Sequence, residues 1–385
     1  MNKRSYSKNV EYVAFKEIVT GTKAKHNTMK WGVDGTDLGI PVYSPKENNL
    51  WIFFGDTFDR PFPKDNFDGK AYWRGTVIGK ISKFNPDDFK FDTFVLDDEG
   101  LASDQIIAHH SENDDYYEVT KICQGAVEVD GVMYAFYESI RHWGEPGYWD
   151  VNYGGAIKSI DGGKTWERVY DLTWVESADN KYAGVIKEIA EQGIDLKPSR
   201  VKIDLENRVG PAFAQLYPID CGDGYIYLFG RHAGRQYGIT CARVQKQNIE
   251  SFNEYEYLLG YDGEEAKWIK GLDGLKEINE NEFQMIKAPV SNMSVCYNKY
   301  LGKWLFVYFK PGYGIVYNTA DTPYGPYSDF EILLGLDYPF PCGEYIYGGF
   351  THEMLSQDDG QRIYLLISQW TDILYGVELF EVKFK

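Results

Sequence analysis

The sequence lacks the features that define several large classes of protein. Its five cysteines are odd in number and include no C-x-x-C pair, so neither a disulfide framework nor a zinc site is predicted. No window approaches the roughly 18 consecutive apolar residues that a membrane-spanning helix needs. Residues 1–25 contain no apolar core before a small-residue cleavage site. No secretion signal is therefore predicted, and a cytoplasmic location is the default expectation.

Basic residues are also scarce. The chain has 40 Lys and Arg against 58 Asp and Glu, which gives a formal net charge of −18 and a pI of about 4.8. Nucleic acids and anionic membranes require a basic footprint, so neither is expected as a partner. An anionic sugar is disfavoured less strongly, because a local cluster of Arg and Lys could still bind it.

The common catalytic and cofactor motifs are missing as well. The sequence has no G-x-S-x-G, no H-E-x-x-H, no P-loop and no G-x-G-x-x-G opening a helix. We therefore expect no cofactor and no metal ligands. A structural cation on a propeller axis stays open as an alternative, although no ligand spacing supports it.

Aromatic residues, in contrast, are abundant, with 31 Tyr, 22 Phe and 10 Trp. Several of them fall in five similar seven-residue windows, each preceded by a turn signal and followed by a segment that opens on glycine. Such short aromatic and β-branched runs between turns predict strands. The windows are Leu50–Asp56, Val132–Glu138, Tyr225–Arg231, Trp304–Lys310 and Arg362–Ser368.

The repeated unit is strand, turn, strand, loop, strand, and five such units predict an all-β, five-bladed β-propeller of antiparallel sheets. We expect one domain over residues 1–385, closed by an N-terminal strand at 10–19 that pairs with 377–384. A helix is predicted at 179–192, and SIDGGKTW at 159–166 matches the Asp-box pattern of a tight turn between strands. The predicted blade cores are 37–95, 120–170, 211–260, 290–335 and 348–384.

The topology predicts a carboxylate pair in the first blade. In an antiparallel sheet, the start of the first strand lies beside the end of the second, and neighbouring strands are about 5 Å apart. Asp37 and Asp56 occupy these two positions. Two adjacent carboxylates are the equipment of a glycoside hydrolase, in which one protonates the leaving oxygen and the other stays ionised. Their separation, which the sequence does not give, decides between retention and inversion.

Corresponding positions in the other blades carry further polar and aromatic residues. Solvent-exposed strand ends often carry charged residues that have no function, and this remains the alternative interpretation of these positions. The predicted substrate-binding residues are Arg74, Glu138, Trp143, Arg231, His232, Asn292, Lys310, His352 and Trp370.

The first blade also resembles a known family. The segments WGVDGTDLG at 31–39, FGDTF at 54–58 and Trp73-Arg74 are similar to the domain-of-unknown-function family 4185, which overlaps the endo-D-arabinanases of glycoside hydrolase family 183. The resemblance implies a five-bladed propeller that hydrolyses arabinofuranose-type linkages. It places the essential carboxylates on Asp37 and Asp56, with Asp56 as nucleophile and Asp37 as acid/base, or the reverse. Characterised members are usually secreted, and Cys123-Gln124-Gly125 differs from the Pro-Thr-Gly expected there.

Two other functions remain open at this point. One is a non-catalytic carbohydrate-binding propeller. The other is a related propeller glycosidase or a phosphorylase, for which Arg231 and Lys310 are the candidate phosphate ligands. Carbohydrate is the expected partner in each case, and the sequence leaves the oligomeric state open.

Overall fold

The computed structural model describes residues 6–60, 72–108, 118–177, 205–343 and 345–385. The described part is built mainly of strands, with one α-helix, α1 (Gly271–Asn281), that the sequence analysis did not predict. The predicted helix at 179–192 lies outside the described residues. The strands, in chain order, are β1 (Val10–Ile18), β2 (Leu38–Ser44), β3 (Asn49–Phe54), β4 (Thr57–Phe58), β5 (Trp73–Arg74), β6 (Val77–Ile81), β7 (Thr93–Phe94), β8 (Thr120–Val129), β9 (Val132–Trp143), β10 (Trp149–Ser159), β11 (Glu167–Val175), β12 (Gln215–Asp220), β13 (Tyr225–Arg231), β14 (Thr240–Gln245), β15 (Glu256–Asp262), β16 (Glu265–Lys270), β17 (Met293–Asn298), β18 (Lys303–Lys310), β19 (Gly314–Ala320), β20 (Glu331–Gly335), β21 (Ile346–Phe350), β22 (Ser356–Gln357), β23 (Arg362–Trp370) and β24 (Tyr375–Phe384).

These strands pair into five antiparallel blades, and the fold is a five-bladed β-propeller. Blade one has the order β2-β3-β6-β7, blade two β8-β9-β10-β11, blade three β12-β13-β14-β15-β16 and blade four β17-β18-β19-β20. Blade five is β21-β23-β24-β1, with β22 beside β23. The predicted fold class is confirmed.

The two ends of the chain meet in blade five. β1 pairs antiparallel with β24, and Val13 lies opposite Val382. This pairing confirms the predicted closure. It also gives β24 a partner on both sides, so that the strand presents no open edge to another chain.

The central strands of the blades are rich in apolar residues and largely buried. In β3 the five residues from Leu50 to Phe54 are all buried. The Phe54 ring packs edge-on to Phe91 at 5.7 Å and stacks with Phe94 at 6.0 Å. Burying one such side chain stabilises the fold by about 1.5–3 kcal/mol. Outer strands such as β16 are largely exposed and carry charged residues, which suits an edge.

Residue contacts divide the chain into two compact units. The first comprises Met1–Gln105, Gly162–Lys164 and Val290–Lys385, and the second comprises Ile106–Asp161 and Thr165–Pro289. Blades one, four and five belong to the first unit, and blades two and three belong to the second. The single-domain expectation stays a prediction. Within the described residues, no helix is long and apolar enough to cross a membrane.

The SIDGGKTW segment forms the turn between β10 and β11. Asp161 accepts hydrogen bonds from the Ser159 hydroxyl at 2.9 Å and from the backbone N–H of Thr165 at 3.0 Å. Gly162 and Gly163 follow with φ of +80° and +83°. Glycine adopts this left-handed region without strain, so the sequence suits a tight turn.

The first strand of blade five was predicted wrongly. The repeat pattern predicts this strand at 351–356, before the QDDG turn signal, whereas the structure has β21 at Ile346–Phe350. The pair Gly348-Gly349 resembles a turn in the sequence, yet Gly349 is the strand residue opposite Ile367. A side chain at position 349 would collide with Ile315, so glycine here permits close packing of blade four on blade five.

Candidate active site

Asp37 and Asp56 lie side by side at one end of blade one, as predicted. Leu38, which follows Asp37, is opposite Phe54 in the β2–β3 pairing. The backbone N–H of Gly55 donates to the carbonyl of Asp37 at 3.2 Å. Both aspartates are half-buried. A Cβ on Gly55 would collide with Asp37 Oδ1, so glycine at this position is what lets the Asp37 carboxylate lie across the end of β3.

The backbone beside Asp37 is strained. Leu38 has a φ of +64° and Gly39 a φ of +88°, and the pairing shifts register between Leu38 and Ile40. A bulky residue in the left-handed region costs on the order of 1–3 kcal/mol, and such conformations cluster at functional sites. The Ser368 hydroxyl, from blade five, donates to the carbonyl of Leu38 at 3.1 Å. The irregular strand start turns the Asp37 side chain toward Gly55.

Two tyrosines from blade five hold Asp37. The Tyr347 hydroxyl donates to Asp37 Oδ2 at 2.8 Å. Tyr375 also hydrogen-bonds to the Asp37 side chain, and its hydroxyl reaches the backbone carbonyl of Asp56 at 3.3 Å. Burial, together with the nearby Asp37, raises the pKa of Tyr375 well above its usual value. The phenol therefore stays protonated and remains a hydrogen-bond donor.

Asp56 is held by an indole. Trp73 Nε1 donates to Asp56 Oδ1 at 2.8 Å. The Trp73 ring stacks on Phe58 with centroids 6.2 Å apart, and Phe58 lies 6.2 Å from Tyr375. Aromatic faces next to a carboxylate pair suit a sugar, because its C–H faces pack on flat rings while its hydroxyls bind polar groups.

Trp370 is brought to the same end of blade five. It lies opposite Tyr375 in the β23–β24 pairing and packs edge-on to Tyr345 at 6.0 Å. Its indole is half-buried. The structure thus places this predicted substrate-binding residue beside a tyrosine that contacts both aspartates.

Arg74 lies in the core and not at the surface of the site. Its side chain is fully buried, and its guanidinium donates to the carbonyls of Ala102 at 2.8 Å and Gly32 at 2.6 Å. Burial lowers the pKa of Arg74, and these two carbonyls supply acceptors for the buried cation. Its place beside Trp73 in the sequence suggested substrate binding, but the side chain points into the core.

Asn292 and Lys310 meet at one end of blade four. Asn292 precedes β17, and its carbonyl accepts a hydrogen bond from Phe309, which precedes Lys310. Lys310 is only 6% exposed, and its ammonium lies 5.0 Å from the Phe330 ring centroid. Burial lowers the pKa of Lys310. Asn292 and Lys310 therefore lie at the same end of blade four, but aromatic rings surround the Lys310 ammonium.

Glu138, in blade two, is buried and densely bonded. Its carboxylate accepts hydrogen bonds from Gln124 at 2.8 Å, from Trp149 at 2.8 Å and from Gln215 at 2.9 and 3.0 Å. Only 2% of the residue is exposed. Burial raises the pKa of Glu138 to about 7, although these hydrogen bonds and Arg231 oppose the rise. Gln124 belongs to the Cys123-Gln124-Gly125 stretch that departs from the family pattern, and here it donates to the carboxylate.

The other predicted residues of the second unit are Arg231 and His232, at the end of β13 in blade three, and Trp143, at the end of β9 in blade two. Arg231 is 1% exposed, donates to the carbonyl of Gly234 and has a pKa lowered to about 9 by burial. His232 stacks on Tyr237 at 4.3 Å. Trp143 is 39% exposed and packs 5.7 Å from Trp149.

His352 does not lie where it was predicted. β21 and β23 are antiparallel, with Ile346 opposite Gln369 and Phe350 opposite Leu366. Residues that follow Phe350 therefore move away from Trp370, and His352 lies at the other end of blade five. It lines a cavity there together with Asn298. The error follows from placing the first strand five residues too late.

The sequence analysis missed Tyr347 and Tyr375 as partners of the aspartates. A signal for Tyr375 was present, because a tyrosine precedes the glycine that opens the third strand in four of the five repeats. Among the described residues, no group of three or more His, Cys, Asp or Glu is arranged to hold a metal ion.

The fold and this site define a five-bladed β-propeller protein with a carboxylate pair at the end of its first blade. Residues 23–381 match the family described as domain of unknown function DUF4185, and the chain belongs to that family.

Three similar proteins illustrate how distant the relatives are. Notoamide biosynthesis cluster protein J from Aspergillus sp. (strain MF297-2) is 23% identical over 356 residues, covering 89% of this chain and 81% of that protein. A Bacteroides ovatus ATCC 8483 crystal structure, titled as a "putative hydrolase", is 14% identical, covers 91% of this chain and 86% of its own, and has a TM-score of 0.56. This likeness shows the shared fold. The α-L-arabinofuranosidase PaAbf62A from Podospora anserina is 11% identical, covers 98% of this chain and 98% of its own, and has a TM-score of 0.47.

Proposed function

We propose that this protein is a glycoside hydrolase that cleaves arabinofuranose-type linkages with Asp37 and Asp56. The observation that carries the proposal is the geometry of the pair. Two half-buried carboxylates lie at adjoining strand ends, and side chains from two blades hold them. Hydrolysis of a glycosidic bond needs one carboxyl group to protonate the leaving oxygen and another to act as nucleophile or base.

The two carboxylates have different surroundings, as their different roles require. Asp37 receives hydrogen bonds from two tyrosines, whereas Asp56 receives an indole N–H. Hydrogen bonds to an ionised carboxylate stabilise that form. The two phenol donors at Asp37 favour its ionised form, while the family resemblance favours Asp56 as the nucleophile. The two assignments predict different behaviour of the variants.

Chemical rescue distinguishes these assignments. Replacing the nucleophile by glycine abolishes turnover, and azide then restores it by attacking the sugar from the vacated side. Replacing the acid slows substrates with poor leaving groups far more than aryl furanosides, whose leaving groups need little protonation. The configuration of the glycosyl azide separates the two roles, because it is inverted when the nucleophile is missing and retained when the acid/base is missing. If azide rescues neither variant, the nucleophile assignment is wrong.

The first experiment incubates the purified protein with D-arabinan, L-arabinan, xylan and aryl furanosides. Release of sugar by the wild type, with none from Asp56→Asn, supports the proposal and identifies the substrate. Asp98→Asn is the matched control, because Asp98 is an exposed carboxylate of the same unit. NMR of the first-formed anomer then gives retention or inversion.

Binding without release would instead support a carbohydrate-binding propeller. A phosphorylase has less support, because Arg231 and Lys310 are 1% and 6% exposed and offer no open phosphate site. Addition of inorganic phosphate to the same assay tests that alternative, since a phosphorylase would release sugar phosphate only in its presence.

A further inference from the structure

A cavity of about 240 Å³ lies at one end of blade three, in the second unit. It is bordered by the end of β13, the start of β14 and the last turn of α1. The lining residues that matter for its chemistry are His232, Tyr237, Thr240 and Asn279. The volume is below the roughly 300–1,000 Å³ of pockets for drug-sized ligands, so a smaller molecule fits it.

One wall of the cavity is a flat aromatic surface. The His232 and Tyr237 rings are stacked, with centroids 4.3 Å apart and planes 20° from parallel. Tyr237 is 44% exposed, so part of its ring is accessible to a ligand. An exposed ring fixed in this way presents a face on which the C–H groups of a sugar can pack.

Two lining residues have unmet capacity for hydrogen bonds. Thr240 is 97% buried, and its Oγ1 has no partner among the described residues. Asn279 donates its amide N–H to the carbonyl of Val209 at 2.6 Å, which orients the side chain, and its buried Oδ1 is likewise without a partner there. Because an amide oxygen only accepts, Asn279 requires a ligand that donates. Buried polar atoms without partners cost about 1–3 kcal/mol each, so such atoms in a native fold call for an explanation.

The charge of the cavity disfavours an anionic ligand. None of the lining residues in the described part is Lys or Arg, and Glu282, at the rim, carries the one formal charge among them. Burial lowers the pKa of His232 to about 4, so its imidazole is neutral at physiological pH. A neutral imidazole donates through one nitrogen and accepts through the other, as recognition of a hydroxyl requires.

We propose that this cavity binds one neutral, hydroxyl-rich unit, a monosaccharide or a polyol of similar size, independently of the carboxylate pair. The aromatic wall takes the C–H face of the ligand. Thr240 and Asn279 accept hydrogen bonds from its hydroxyls. The absence of cations from the described lining disfavours uronates and sugar phosphates.

The test uses the full-length Asp56→Asn protein, because this substitution prevents hydrolysis from contributing to the result. The protein is labelled with 15N-histidine. D-arabinose, L-arabinose and glycerol are the neutral probes, and D-glucuronate is the anionic probe. The imidazole resonance of His232, assigned with His232→Gln, reports on this cavity alone. We expect it to shift saturably with at least one neutral probe. Binding of glucuronate should be at least tenfold weaker.

Variants in the same background make the test specific. Tyr237→Ala and Thr240→Val should each weaken binding at least tenfold, and valine preserves the shape of threonine while removing its hydroxyl. Tyr300→Ala is the matched control, because Tyr300 is 43% exposed and lies outside the cavity. Circular dichroism establishes that each variant is folded. No shift of His232 with any neutral probe, or equal binding by Tyr237→Ala and Tyr300→Ala, would overturn the proposal.

Discussion

The second strands of blades one and two place a carboxylate in a similar position, yet the two carboxylates differ in nearly every other respect. Asp56 follows β3, is half-buried and receives an indole N–H from Trp73. Glu138 lies in β9, is 2% exposed and receives an indole N–H from Trp149 together with three more hydrogen bonds from amides. An indole N–H thus donates to an accessible carboxylate in blade one and to a buried carboxylate in blade two. Access to solvent, rather than residue type, separates a candidate for chemistry from an internal anchor.

The largest expected effect concerns the accessible pair. Asp37→Asn should lower kcat/KM at least 1,000-fold, equivalent to about 4 kcal/mol of transition-state stabilisation, because an amide can neither transfer the proton nor attack the sugar. The urea unfolding midpoint should change little. A variant that loses its folded structure would show that the aspartate stabilises the fold, and the contrast with Glu138 would disappear.

Glu138→Ala should have the opposite profile. Its removal takes the acceptor from Gln124, Trp149 and Gln215, and each donor left unsatisfied in a buried setting costs about 1–3 kcal/mol. Urea unfolding measures this loss directly. Glu99→Ala is the control, because Glu99 is exposed and its removal should leave stability within about 0.5 kcal/mol. A stable Glu138→Ala protein without activity would move Glu138 into the chemistry.

The pH dependence of stability sharpens the same comparison. The folded pKa of Glu138 is about 7, above the value near 4.3 for an unfolded chain. The folded state therefore binds the proton more tightly, and its stability should fall as pH rises between these values and level off above about 7. The contribution is on the order of 3 kcal/mol. Unfolding of Glu138→Gln across this range should lack that part of the slope, and equal slopes in both proteins would contradict the raised pKa.

The smallest effects belong to the two indoles. Trp73→Phe should reduce kcat/KM by about tenfold, roughly 1.4 kcal/mol, because Asp56 loses the donor that orients it. Trp149→Phe should instead lower stability by about 1–3 kcal/mol, since the buried Glu138 carboxyl group loses a hydrogen-bond donor. Parallel kinetics and urea unfolding of both variants provide the measurement. Identical profiles would show that the two indoles play one role.

The blades and the aspartate pair were predictable for a local reason. An antiparallel hairpin brings the start of one strand to the end of the next, so Asp37 and Asp56 had to meet once β2 and β3 were recognised. The partners of the pair come from far away in sequence, as Tyr347 is 310 residues from Asp37. The geometry of a hairpin predicts contacts only between strands that are close in sequence. The repeated Tyr-Gly pattern marked Tyr375, but nothing in it told which blade the tyrosine would contact.

Burial explains the predictions that failed or changed meaning. Arg74 and Arg231 stand at strand ends, where charge usually signals water or a ligand, but both are at most 1% exposed and donate to backbone carbonyls. His352 was misplaced because the first strand of blade five was predicted at 351–356, whereas it runs over Ile346–Phe350. The sequence shows which residues are polar, whereas packing decides which of them the solvent reaches.

The pairing of β1 with β24 has a consequence for how the chain folds during its synthesis on the ribosome. β1 leaves the exit tunnel early and must wait without its partner strand until the other end of the chain emerges. Asp37 and Asp56 also emerge long before Tyr347 and Tyr375, the residues that contact them from blade five. A nascent chain stalled within blade four therefore carries both aspartates but not these two tyrosines. The contacts around the two aspartates can therefore be completed only after blade five has been synthesised.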